Sequence, residues 1–216
     1  MSASRKSTHS YTLHELEYLP TATASVISVD EVGRGAIAGP VVVAAVWVNR
    51  ETLTSEVPSG IRDSKQLSAR QRNTVYRDIV DRTWLTEWGI GYAHAEEIDA
   101  YGITHALGMA GARALNDVPP ADHILLDGNY DWLSPVCGTE IPVTTIVRGD
   151  ATLVTMGAAS IVAKVDRDNF MMKLGKRYSS YGWEHNVGYG TAKHRQAIAE
   201  HGLTPYHRRS FRCCAP

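Results

Sequence analysis

The sequence predicts an α/β fold in which a mixed sheet carries helices on its faces, and three observations lead there. Strand-like runs come first, as a meander; they then alternate with helical stretches; and 216 residues, 44% apolar and 21% charged, match one ordinary globular domain. Ser25 to Asp30 alternates apolar and polar residues and is rich in β-branched side chains, so it reads as a strand. Gly33, Gly35, Gly39 and Pro40 break the chain after it. Val41 to Val48 is an unbroken apolar run, as expected of a strand covered on both faces, and the short turn before it implies antiparallel pairing. Residues 50–66 read as loop. Leu67 to Asp81 has apolar residues at helical spacing behind Ser68, a candidate N-cap. Trp84 to Ala93 reads as a third strand, Glu96 to Tyr101 as a short helical turn, and Ile103 to Leu115 as a helix stopped by Pro119 and Pro120.

Ile124 to Asp127 and Ile141 to Val147 are the remaining strands. Ala151 to Tyr178 is helical in pattern throughout, Tyr181 to Gly190 is a loop rich in glycine and aromatic residues, and Ala192 to His201 is a short helix. Residues 1–24 are polar and read as an N-terminal arm; residues 25–212 form the domain, with a small helical C-terminal part from about residue 180.

Composition narrows the function. The longest apolar stretch, Ala36 to Val48, is too short to span a bilayer, which takes roughly 20 residues, and the polar N-terminus lacks the core of a secretory signal. Three cysteines, two of them adjacent at Cys213 and Cys214, fit a reducing cytoplasm better than a disulfide framework. A net charge of −1 excludes a chain-wide electrostatic grip on nucleic acid, but not binding through a local patch or through metal ions. Nothing suggests more than a monomer.

The chemistry concentrates in carboxylates at strand ends. Asp30 and Glu31 close the first strand, Asp127 closes another, and Asp150 follows the strand after that. Ligand sites of open α/β sheets gather at such ends. Acids crowded in a partly buried place raise their pKa values or recruit cations, and oxygen-only donors favour hard ions such as Mg2+ or Mn2+. Two such ions about 4 Å apart form the clamp used for displacement at phosphorus. Taken singly, each acid has a plainer reading: a solvated strand end for Asp30–Glu31, a turn for Asp127–Gly128, a helix cap for Asp150. Neighbouring strand residues face opposite ways, so either the strand bends at Glu31 or the longer side chain reaches round.

Gly33-Arg34-Gly35 is followed by a strand and not by a helix, which argues against a dinucleotide loop. Glycines there let the backbone approach a small polar group such as a ribose hydroxyl, though a plain tight turn would also use them. Lys65, Lys164, Arg167, Lys193, Arg195, Arg208 and Arg209 are candidates for phosphate contact, and Tyr189, between two glycines, is a candidate for stacking on a sugar or base; a solvated basic face and a core-capping tyrosine are the alternatives. His194 and His201 read as surface residues.

Val29-Asp30-Glu31-Val32-Gly33-Arg34-Gly35, Asp63-Ser64-Lys65-Gln66-Leu67-Ser68, Leu126-Asp127-Gly128-Asn129, Arg148-Gly149-Asp150, Ala158 to Asp168, Gly188-Tyr189-Gly190-Thr191 and His207 to Phe211 follow one another in an order that resembles type 2 ribonuclease H, bacterial ribonuclease HII. Residues 25–212 are covered. The resemblance implies a ribonuclease H-like fold and metal-dependent endonucleolytic cleavage of RNA in RNA/DNA hybrids, including 5′ of a single ribonucleotide in duplex DNA, leaving 3′-hydroxyl and 5′-phosphate ends. It implies Asp30, Glu31, Asp127 and Asp150 as catalytic metal ligands for Mg2+ or Mn2+, Gly33, Arg34 and Gly35 as a sensor of the 2′-hydroxyl, and Tyr189 as the sugar-stacking residue; of the basic candidates, Lys65 is taken as the substrate contact. Arg148 and Asp166 stand where lysine and threonine are common in the motifs. A resolvase of the same fold would share the acids without needing a ribose probe; a pure hybrid-binding module would gain nothing from them.

Overall fold

The computed structural model describes residues 15–55, 57, 61, 67–81, 84–85 and 87–212. The chain order is β1 (Ser25–Val32), β2 (Val41–Asn49), α1 (Arg50–Thr54), α2 (Ala69–Val80), β3 (Glu87–Ala93), α3 (Ala95–Tyr101), α4 (Ile103–Leu115), β4 (His123–Asp127), α5 (Ser134–Cys137), β5 (Val143–Ile146), α6 (Gly149–Thr152), α7 (Val154–Arg177), α8 (Trp183–Asn186) and α9 (Ala192–His201). The five strands lie in the order β3-β2-β1-β4-β5. β1, β2 and β3 form an antiparallel meander, whereas β4 runs parallel to both β1 and β5. The sheet is therefore mixed, and its central strand carries the first two acids.

Strand parity divides the core. Val26 of β1 and Leu125 of β4 belong to one apolar layer, with Ile161, Val162 and Val165 of α7 and Val75 and Ile79 of α2. Ile27, Val29, Ile124 and Leu126 face the opposite layer, built on Ala106, Leu107, Ala110 and Ala114 of α4. Gly91 of β3 permits this close packing, since a Cβ there would lie 1.8 Å from the Ala110 carbonyl oxygen of α4. A third, smaller cluster joins Met171 and Leu174 of α7 to Tyr181, Trp183 and Ala197, and forms the helical C-terminal part.

Local signals explain several element ends. Ser68 and Gln71 form a reciprocal capping box at the start of α2. Replacing Ser68 with Ala should lower stability by about 1 kcal/mol, measured by urea unfolding at neutral pH. Three sequence expectations need correction. Residues 50–54, expected as loop, form a helical turn capped by the Asn49 side chain. The stretch expected to be one helix from Ala151 divides at Leu153, whose backbone is extended, into α6 and α7. Between Tyr181 and Gly190 the expected loop contains α8.

The described part of the expected arm, from Glu15 on, packs onto the domain. Leu19 is fully buried, and Leu16 and Tyr18 lie against the core layer under α7. Glu15 is itself buried, and its Oε1 accepts hydrogen bonds from the backbone N–H and the hydroxyl of Thr155, in the first turn of α7. Ser28 of β1 completes this network through a 2.6 Å contact with the Thr155 hydroxyl. Glu15 thus caps a helix 140 residues away in the chain. Among the described residues, no helix is long and apolar enough to cross a membrane.

Candidate active site

The C-terminal ends of β1 and β4 bring the acids together. Asp30 shares the face of Val26 and Ser28, and Asp127 shares the face of Leu125, so both carboxylates point to the α7 side by simple alternation. Glu31 has the opposite parity. The β1–β2 register runs unbroken through Glu31↔Val43 and Val32↔Val42, so no bulge turns the residue over. Pairing of β1 with β4 stops at Val29↔Leu126, and the chain leaves β4 at Gly128, with φ of 121°. The edge of β1 beyond Val29 is no longer covered by β4, and the longer Glu31 side chain reaches across it. One carboxylate oxygen each from Asp30, Glu31 and Asp127 lies within 4.8 Å of the others.

The surroundings hold this arrangement. Asp30 is buried; its Oδ1 accepts the Glu31 backbone N–H at 2.7 Å, and Ser160 of α7 hydrogen-bonds its carboxylate. Asp127 Oδ1 accepts the Gly149 N–H at 2.8 Å. That bond fixes the start of α6, where Arg148 adopts a left-handed conformation and Asp150 is buried. Asp150 lies outside the 4.8 Å group, but its charge acts on Asp30. Burial first, then the charges of Glu31 and Asp127, push the Asp30 carboxyl well above its usual range; Ser160 opposes this and Asp150 adds to it. Such a set of oxygens, uncomfortable when all are ionised, fits one or more hard divalent cations.

Beside the acids, Gly33 is buried with φ of 86°, and a Cβ there would sit 2.1 Å from Arg167 Nε. Gly35 is exposed, with nothing within 4 Å of where its Cβ would be. Arg34 is exposed and donates to the Tyr130 hydroxyl at 2.8 Å, its guanidinium 5.5 Å from that ring. The Gly188–Tyr189 loop docks on this turn: Gly188 O accepts the N–H groups of Ile37 and Ala38 at 2.9 and 3.1 Å. Tyr189 is 37% exposed, so one face is open to a ligand while Arg167 lies 5.6 Å from its centroid. Lys65 lies outside the described residues.

Two of the candidate phosphate contacts are corrected by their burial. Arg167 is fully buried and donates to the carbonyls of Pro40, Ala38 and Val187, tying the glycine turn to the Tyr189 loop. Arg208, also fully buried, donates to Gly39 O and Arg34 O from the other side. Both brace the site from behind, where no phosphate reaches them. Lys164 is held by Asp168 at 2.8 Å, whereas Lys193, Arg195 and Arg209 are exposed. His194 is fully buried, contrary to expectation, and His201 is exposed. Sequence reasoning missed Ser160 as a partner of Asp30; it sits in the Ala158 to Asp168 segment, but its serine gave no separate signal.

Comparison with known proteins gives the family. The family model described as Ribonuclease HII matches residues 27–214. The ribonuclease HII of Thermosynechococcus vestitus is 47% identical over 199 residues, which cover 92% of this chain and 89% of that protein. That of Streptomyces avermitilis is 43% identical, covering 88% and 78%. Among solved structures, ribonuclease H2 from Pyrococcus horikoshii aligns with a TM-score of 0.74 at 25% identity, over 88% of this chain and 95% of that one. Bst-RNase HIII in complex with Mn2+ shares the fold, with a TM-score of 0.70 at 19% identity over 99% and 75%. With the acids at the ends of β1 and β4 and a family match across almost the whole domain, the chain belongs to the ribonuclease HII family, a family of metal-dependent ribonuclease H hydrolases.

Proposed function

We propose that this enzyme cleaves RNA joined to or paired with DNA, cutting 5′ of a ribonucleotide, including a single one within duplex DNA, and leaving 3′-hydroxyl and 5′-phosphate ends. The observation that carries the reading is the convergence of Asp30, Glu31 and Asp127 within 4.8 Å, beside the Gly33-Arg34-Gly35 turn. Asp30, Glu31 and Asp127, with Asp150 at their margin, would hold Mg2+ or Mn2+. When bound, such ions lower the pKa of the attacking water and neutralise charge on the leaving 3′-oxygen.

The remaining roles belong to the protein. Open space in front of Gly35 admits the ribose, and the backbone of the turn reads its 2′-hydroxyl, the group that distinguishes RNA from DNA. Arg34, braced by Tyr130, stands at the edge of the same turn. Tyr189 stacks on the adjacent sugar with its open face. Lys65 supplies a phosphate contact. The near-neutral chain suits a site whose positive charge comes with its cations. We take the enzyme to work as a monomer in the cytoplasm; three cysteines, two of them adjacent, fit a reducing compartment better than a disulfide framework.

An end-labelled DNA duplex with one ribonucleotide, a continuous RNA/DNA hybrid and an all-DNA duplex, each incubated without metal and then with Mg2+ or Mn2+, tests the reading. Cleavage of the first two only after metal is restored, with the cut 5′ of the ribonucleotide, is the expected result. Cleavage of the all-DNA duplex at a similar rate would replace it with a junction or DNA nuclease of the same fold.

A further inference from the structure

Behind Tyr189 lies a chain of buried polar side chains that the acidic site does not use. His194 of α9 and His207 of the C-terminal segment are both buried, with their Nε2 atoms 3.1 Å apart. Trp183 Nε1 lies 3.0 Å from His194 Nε2, and the Thr204 backbone N–H points at His207 Nδ1 from 2.9 Å. His194 Nδ1 is 2.9 Å from the Tyr189 carbonyl oxygen. Burial holds both imidazoles below their ordinary range, His207 down to about 4, where the neighbouring His194 adds to the effect. Both rings are therefore neutral near pH 7.

Neutral rings leave one consistent proton arrangement. An indole N–H and a backbone N–H can only donate. Trp183 therefore requires His194 Nε2 to accept, which puts the His194 proton on Nδ1, where it is donated to Tyr189 O. The Thr204 backbone N–H likewise requires His207 Nδ1 to accept, with the Thr204 hydroxyl also 2.9 Å from it, which puts the His207 proton on Nε2, where it shares the one lone pair of His194 Nε2 with the Trp183 N–H. Donor-only groups at both ends thus fix both tautomers. The end point is the peptide of the exposed tyrosine, which Thr191 N–H also holds at 2.8 Å. On its other side the loop is anchored by Gly188 O on the glycine turn.

We infer that His194, with its tautomer set by Trp183 and His207, is a positioning residue that orients Tyr189 for the substrate sugar through the Tyr189 carbonyl. The inference rests on the reading of Tyr189 as the stacking residue. Its action passes through a single donor, Nδ1–H, which separates it from a packing role. Asparagine places an N–H2 group where Nδ1 sits and can keep the donation, whereas glutamine reaches toward Trp183 and loses it.

The test compares wild type, His194→Asn, His194→Gln, Tyr189→Ala and the double variant His194→Gln/Tyr189→Ala. It measures kcat and KM on duplex DNA with one ribonucleotide in Mg2+, together with Tm. His194→Gln should lower kcat/KM roughly tenfold, the worth of one well-placed hydrogen bond. His194→Asn should keep activity within about threefold of wild type, and His194→Gln should cost nothing further once Tyr189 is Ala. Equal losses in Asn and Gln, or the full Gln loss persisting in the Tyr189→Ala background, would reduce His194 to a packing residue. An active Tyr189→Ala enzyme with unchanged kcat/KM would overturn both the tyrosine's role and this inference, while leaving the acidic site untouched. An inactive wild type would instead count against the nuclease reading itself.

Discussion

Replacing Asp127 with Asn should abolish cleavage and at the same time stabilise the metal-free protein. The amide keeps an oxygen to accept the Gly149 N–H, so the start of α6 is retained. What disappears is one negative charge within 4.8 Å of Asp30 and Glu31. Removing one electrostatic element from such a site costs on the order of 10³-fold in kcat. Without metal, the same change relieves repulsion at Asp30, whose carboxyl is pushed up by burial, by Glu31 and by Asp127. A gain of about 1 kcal/mol would raise Tm by roughly 2–4 °C for a chain of this size. Adding Mg2+ should stabilise wild type more than the variant. Scanning calorimetry with and without metal, alongside the cleavage assay, decides the matter: unchanged turnover removes Asp127 from the site, and a lower metal-free Tm refutes the repulsion.

Glu15 carries the second large effect. Burial raises its carboxyl from 4.5 to about 7, against the lowering effect of its two hydrogen bonds from Thr155. Its Oε2 is buried without a hydrogen-bond partner among the described residues. Because the folded-state pKa is raised, the stabilising form is the neutral one. Its contribution is complete below about pH 4.5 and is lost as pH rises through 7. The difference corresponds to about 3 kcal/mol at most. Glu15→Gln keeps the acceptor for Thr155 and cannot ionise. Its stability should match wild type at pH 4 and exceed it at pH 8. Urea unfolding of both proteins at the two pH values reads this directly, since any titration of Asp30 is common to both. Parallel pH profiles would show that Glu15 is not buried in solution as it is here.

What could be read in the sequence divides along physical lines. Apolar runs bounded by glycine marked β1, β2 and β4, and acids directly after such runs mark strand ends whatever the tertiary details. Ala192–His201 was legible as a short helix, and the structure adds Thr191 as its N-cap. The burial of Arg167 was not legible: its partners are carbonyls of Pro40, Ala38 and Val187, and for two of these the chain separation exceeds 120 residues. His194 failed for the same reason, since one imidazole on a polar helix looks solvated until Trp183 and His207 close over it. The break at Leu153 was hidden because apolar spacing continues across it. Glu31 left two routes open, and only the unbroken β1–β2 register selects the long side chain over a bend. Glu15 gave no warning at all, because an acid in a polar stretch reveals nothing about a helix start far down the chain.

The middle position of β1 also bears on how the molecule is assembled. The antiparallel meander of β1, β2 and β3 is complete by Ala93, so a growing polypeptide can close that half of the sheet while Asp30 and Glu31 are the only two of the four site acids yet made. Asp127 and Asp150 are synthesised later, and the like charges need to meet only when β4 slots in beside a sheet already formed. The penalty for crowding them then falls on the final step and not on nucleation, and a nascent enzyme has no competent ion site until most of its core is in place.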